Sequence, residues 1–128
     1  MTVFQSGGDF NNHAVSIGRC VLPDRVPAGK RLVLETVTGF YYGDGAELGS
    51  AYLTVGNFRF AFPWIPCTVP SGPPANRRFY GFNHFVKIYV DGPAQLEFDA
   101  AGGSFTGAST SYSGTYAVSG HLIDLPTT

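Results

Sequence analysis

Apolar and polar residues alternate along this chain far more often than they recur at helical spacing. From Phe58 to Phe62 the order Phe-Arg-Phe-Ala-Phe puts Phe58, Phe60 and Phe62 on one face of a strand and Arg59 and Ala61 on the other. Val86, Ile88 and Val90 face one way, and Leu96 and Phe98 alternate with Gln95, Glu97 and Asp99. Near the end Tyr116, Val118 and Leu122 oppose Ala117, Ser119 and Ile123. Arg31 to Thr38 is rich in β-branched residues and follows the turn Val26-Pro-Ala-Gly29, so it reads as a strand. Three hairpins are expected: one around Gly56-Asn57, one around Asp91-Gly92-Pro93 and one around Ser113-Gly114. A further strand near His13 to Ile17 brings the total to about eight. No stretch carries apolar residues at i, i+3, i+4 and i+7 with a cap before it and glycine after it. The pattern predicts a single all-β domain over residues 1–128, an antiparallel two-sheet β-sandwich of jelly-roll-like form. Pro63 to Ala75 reads as an ordered loop or edge crossing, and Ala100 to Ser109 as a Gly/Ser-rich loop.

Composition narrows the function classes. Hydrophobic residues make up 44% of the 128 residues and charged residues 13%, roughly half the usual charged share. The net charge of −1 gives no basic field for nucleic acid, and Arg77-Arg78 reads as a solvated pair. No apolar run approaches the length of a helical membrane span. Met1 to Phe10 lacks the basic start and apolar stretch of a secretory signal, so either a signal has been removed or export by that route is not expected; an extracellular location stays open. Sparse charge on the surface points to burial in an assembly, and a homo-oligomer is expected, with a trimer favoured. Cys20 and Cys67 can form a disulfide closing a long loop or remain two thiols, and their spacing does not decide it.

Three segments resemble a group of small, mostly uncharacterised bacterial β-sandwich proteins. They are Val26-Pro-Ala-Gly-Lys-Arg-Leu-Val-Leu-Glu35, Val86-Lys-Ile-Tyr-Val-Asp-Gly92 and Ser119-Gly-His-Leu-Ile-Asp-Leu-Pro126. The group tends to show a VPAGKRLVIE-like opening, a YADPG-like turn and an SGYLVDLP-like end. This chain departs from it at Gly92-Pro93, where the order of Pro and Gly is reversed, and at His121, where the group tends to have Tyr. The resemblance implies the sandwich fold and carries no catalytic residue.

Candidate chemistry is thin. His13, His84 and His121 are far apart in sequence; His84 and His121 could meet in a cupin-like cluster, but the chain has no His-x-His motif, so no metal or cofactor is expected. Neither cysteine sits in a nucleophile signature, and Glu97 and Asp99 alternate with apolar residues as on a solvated face. Gly43-Asp-Gly-Ala-Glu-Leu-Gly49 has the wrong spacing for a dinucleotide loop and no helix behind it. What remains is aromatic. Phe40-Tyr41-Tyr42 runs into a Gly43-Asp44-Gly45 turn, and Trp64 lies among prolines. Rings beside acids at loop tips can stack on the apolar face of a sugar while polar groups take its hydroxyls, so Tyr41, Tyr42, Asp44 and Trp64 are the candidate ligand-binding residues. The resulting reading is a non-catalytic, lectin-like module that recognises a glycan or protein surface. A structural subunit of a virion or extracellular assembly is the alternative, and a small enzyme the third.

Overall fold

The computed structural model describes residues 2–11, 19–44, 46–47, 49–67, 77–101, 104–105 and 112–126. The strands are β1 (Thr2–Asn11), β2 (Cys20–Val26), β3 (Lys30–Asp44), β4 (Ala46–Glu47), β5 (Ser50–Val55), β6 (Phe58–Pro63), β7 (Ile65–Pro66), β8 (Arg77–Asp91), β9 (Ala94–Ala101), β10 (Ser104–Phe105) and β11 (Tyr112–Asp124). No helix occurs among the described residues. One sheet has the order β1-β11-β3-β8-β7, the other β2-β9-β5-β6, and β10 pairs with β4 separately. All pairs are antiparallel. Setting aside the short β7, each sheet interleaves strands from the two ends of the chain, which is the eight-stranded jelly-roll arrangement.

The interior follows from the alternation. Leu22, Val26, Leu32, Leu34, Leu53, Leu96 and Phe98 are fully buried between the sheets. Along β3 the buried set changes parity, from Leu32 and Leu34 to Val37 and Tyr41. An extra residue, Glu35, intervenes there, because Leu34 pairs with Gly120 and Thr36 with the adjacent Ser119. A β-bulge thus exchanges the two faces of the strand halfway along it. At one end the core is aromatic: Phe98 stacks on Tyr116 with centroids 4.4 Å apart, and Trp64 packs edge-on to Phe82 at 4.8 Å.

Four expectations are corrected. Asp91-Gly92-Pro93 does not close a hairpin, because β8 belongs to the five-stranded sheet and β9 to the other. The segment crosses between sheets through a cis Gly92–Pro93 bond. A Cβ at Gly92 would overlap the Pro27 carbonyl, which explains glycine there. Ser113-Gly114 is not a turn either, since β11 runs unbroken through it and pairs on both sides, Gly114 lying between Phe10 and Tyr41. In the Pro-rich segment Ile65–Pro66 is a short edge strand against β8. The phenylalanine stripe of β6 shares a face but fades outward, from Phe62 at 6% exposure to Phe58 at 72%, because the Gly56-Asn57 hairpin projects beyond the core. That hairpin forms as expected, with Gly56 at φ +57°. The strand expected near His13 to Ile17 lies outside the described residues; the amino-terminal strand is β1, on the edge beside β11.

Residues 30–35, 86–91 and 119–124 meet at one end of the five-stranded sheet, on the adjacent strands β3, β8 and β11. Arg31 makes a two-pronged contact with Asp91, Nε to Oδ1 at 2.6 Å and Nη2 to Oδ2 at 3.0 Å. Lys30 pairs with Asp124. The Leu125 N–H donates to the Gly29 carbonyl, and the Gly92 N–H to that of Lys30, both at 2.9 Å. These residues brace a corner of the fold.

Candidate functional site

Outward positions of the five-stranded sheet form a surface unlike an ordinary solvated face. On β3 the bulge turns Phe40 and Tyr42 outward, opposite the buried Tyr41. Their cross-strand neighbours on β8 are Gly81 and Phe79. The rings of Phe79 and Tyr42 stack with centroids 5.9 Å apart, and Phe40 lies 6.3 Å from Phe79 and 6.4 Å from Tyr42. Phe40 is 43% exposed and Tyr42 38%. Between Phe40 and the edge strand β7, Gly81 contributes no side chain; exposed Ile65 is its cross-strand partner, and Cys67 Sγ lies 3.4 Å from where its Cβ would be. The result is a three-ring platform with a gap beside it.

One step further along the strands the surface becomes hydroxylic. Thr36 and Thr38 on β3 face Ser119 and Ala117 on β11. Thr36 Oγ1 and Ser119 Oγ hydrogen-bond to each other, and Thr38 Oγ1 donates to the Ala117 carbonyl at 3.4 Å. With Gln5 and Gly7 of β1 these residues line an open groove of about 380 Å³, and Asp24 closes its flank. The Asp24 N–H donates to Ser6 Oγ at 3.3 Å. Opposite Thr36 stands Phe85, 88% exposed.

The four candidates from the sequence separate. Tyr41 and Trp64 are core residues, with ring centroids 6.3 Å apart and Tyr80 close by. The opposite facing of neighbours on a strand makes Tyr41 the inward member of its pair and Tyr42 the outward one. Trp64 turns inward where the chain crosses between sheets, its backbone N–H donating to the Gly49 carbonyl at 3.0 Å. Only Tyr42 reaches solvent; the Asp44 side chain lies outside the described residues. Phe40, Phe79 and the groove were missed. Phe40 carries the same parity signal as Tyr42, whereas the groove depends on three strands whose order the sequence does not display.

Cys20 and Cys67 are free, the first buried and the second exposed. Burial, with Asp9 adding a negative field, pushes the Cys20 thiol up. Burial likewise raises the Tyr116 hydroxyl. His84 faces inward against Phe62, with ring centroids 5.5 Å apart, whereas His121 Nδ1 meets Glu35 Oε1 at 2.7 Å on the outer face. The two histidines therefore do not form the cupin-like pair, and no cluster with metal-ligand geometry occurs among the described residues. Glu97 pairs with Arg19 at 2.7 Å, as a solvated carboxylate does. No helix among the described residues is long and apolar enough to cross a membrane. No protein-family model matches the chain, and no curated protein matches it.

Proposed function

We propose that the chain is a non-catalytic, lectin-like binding module whose outer ring platform, Phe40, Tyr42 and Phe79, takes the apolar face of a sugar. The observation that carries this reading is the placement of three mutually contacting rings on the outer sheet face, with Phe40 and Tyr42 exposed and Phe79 half-buried. Contiguous exposed aromatic surface is costly to keep in water and marks interaction sites. Rings held by a sheet lose little freedom on binding, which favours affinity. A glycan array with the wild type and with Tyr42→Ala tests it. The expected result is a hit that the variant loses while its melting temperature stays within a few degrees. A hit that survives Tyr42→Ala and Phe40→Ala would remove the platform from consideration.

A second reading, self-association into a structural assembly with a trimer favoured, is supported by apolar side chains elsewhere on the same sheet. Val3, Phe85, Tyr89 and Ile123 are all exposed on its outer face. Light scattering at micromolar concentration tests this; a pure monomer would rule it out.

A further inference from the structure

Resting on the platform reading, we infer that the rings and the neighbouring groove are one continuous site for a neutral, linear oligosaccharide lying along the strands. The continuity is geometric. Tyr42, Phe40, Thr38 and Thr36 are successive outward residues of β3, and six residues of strand span about 20 Å. That length exceeds one sugar and suits several joined end to end.

The two parts supply complementary contacts. The rings present flat apolar surface for C–H faces. Beyond them, the Thr36 and Ser119 hydroxyls keep one O–H and acceptor lone pairs between them, the Thr38 oxygen can accept, and the Gln5 amide can donate and accept, which suits the ring hydroxyls of a sugar. Gly7 and Ala117 keep the floor low, so the chain need not rise as it leaves the platform.

The charge pattern selects neutral sugars. Among the described residues no Lys, Arg or His lines the groove, and the one charged residue there is Asp24. In the groove a uronic or sulfated glycan would bring an anion to a lining with no counter-charge among the described residues and a carboxylate at its flank, at a desolvation cost without return.

The test is calorimetric titration with disaccharides and hexasaccharides of the malto, cello, xylo and manno series, with oligogalacturonates as the acidic arm. At least one neutral hexasaccharide is expected to bind about tenfold or more tighter than its disaccharide. Two variants should erase that gain: Ala117→Leu, which fills the groove from an exposed position, and Thr38→Val, which removes a hydroxyl at constant shape. Tyr42→Ala should weaken both lengths. If disaccharide and hexasaccharide bind alike through Tyr42, the continuous site is wrong while the platform stands. Tighter binding of oligogalacturonates also overturns it. Binding of no neutral sugar at any length overturns the continuous site and the platform together.

Discussion

The two outer faces of the sandwich are built by the same alternation of side chains, yet they meet water in different ways. On the four-stranded sheet the outward residues find one another. Arg19 pairs with Glu97 at 2.7 Å, the Arg59 guanidinium lies 4.3 Å over the Tyr52 ring, and Arg25 donates to Gln95 Oε1 at 3.3 Å. On the five-stranded sheet Arg31 meets Asp91, Lys30 meets Asp124 and His121 meets Glu35 at one end, and Asp44, Arg77 and Arg78 lie on its strands at the other. From Thr36 to Tyr42 on β3 and from Phe79 to Phe85 on β8 the outward side chains are rings, hydroxyls and an amide. The low charge content of the chain is thus unevenly spread. A face whose charged groups pair with one another has little left to offer a ligand, whereas exposed rings beside hydroxyls with spare acceptor lone pairs do.

The largest expected effect tests how far the core reaches along β6. Phe62→Ala should cost about 3 to 5 kcal/mol through lost transfer energy and the cavity left behind. Phe58→Ala, on the same face of β6 but beyond the core, should stay within about 0.5 kcal/mol. Phe60 is half-buried and should fall between. Urea denaturation measures all three, and equal costs would mean that the stripe is buried along its whole length and that the Gly56-Asn57 hairpin does not project beyond the core.

Next comes the functional contrast between the faces. Tyr42→Ala should reduce sugar affinity by about tenfold or more, as loss of an interface ring commonly does, with little change in melting temperature. Arg59→Ala, on the other face, should leave binding unchanged. Tyr41→Ala and Trp64→Ala should instead destabilise by about 3 to 5 kcal/mol, as large core truncations do. Reversal of the Tyr42 and Arg59 results would move the site to the four-stranded sheet.

These neighbours also mark how far the sequence could be read. Strand existence, the parity of β8, β9 and β11 and the Gly56 hairpin all follow from local alternation and turn chemistry, which need no knowledge of partners. The parity of Tyr41 and Tyr42 was legible only as an either-or, because the bulge at Glu35 is set by register against Ser119 and Gly120 on a strand some 80 residues away. Gly92-Pro93 and Ser113-Gly114 carry hairpin signals, but long-range pairing puts the first between sheets and the second inside a strand. The groove needs β1, β11 and β3 side by side, an order that interleaves both ends of the chain.

A smaller effect tests the paired character of the four-stranded face. A double-mutant cycle on Arg19 and Glu97, with alanine at each, should return a coupling of about 0.2 to 1 kcal/mol, because both groups are partly exposed. In molar salt the coupling should shrink toward zero. A coupling that salt does not screen would mean the pair is more desolvated than its exposure implies.

The smallest effect belongs to the charged end of the five-stranded sheet, and its sign is fixed by which form the fold favours. Hydrogen bonding to Arg31 holds the Asp91 carboxyl below its ordinary value, and Lys30 does the same for Asp124. A carboxyl whose pKa is lower folded than unfolded adds stability above the unfolded value, about 3.9, and loses it as pH falls through the folded one. Both carboxylates are solvent-exposed, so water and salt screen the gain. Asp91→Asn and Asp124→Asn should therefore be slightly less stable than the wild type near neutral pH. The gap should close as the pH drops below about 4, where the wild-type carboxylates also become neutral. Melting curves across that range decide it, and sugar affinity measured alongside should not change, since this corner lies away from the rings. A gap that persists unchanged in acid would show that the asparagines disturb the packing of the Pro27–Lys30 turn against Gly92, and that the charges themselves contribute nothing.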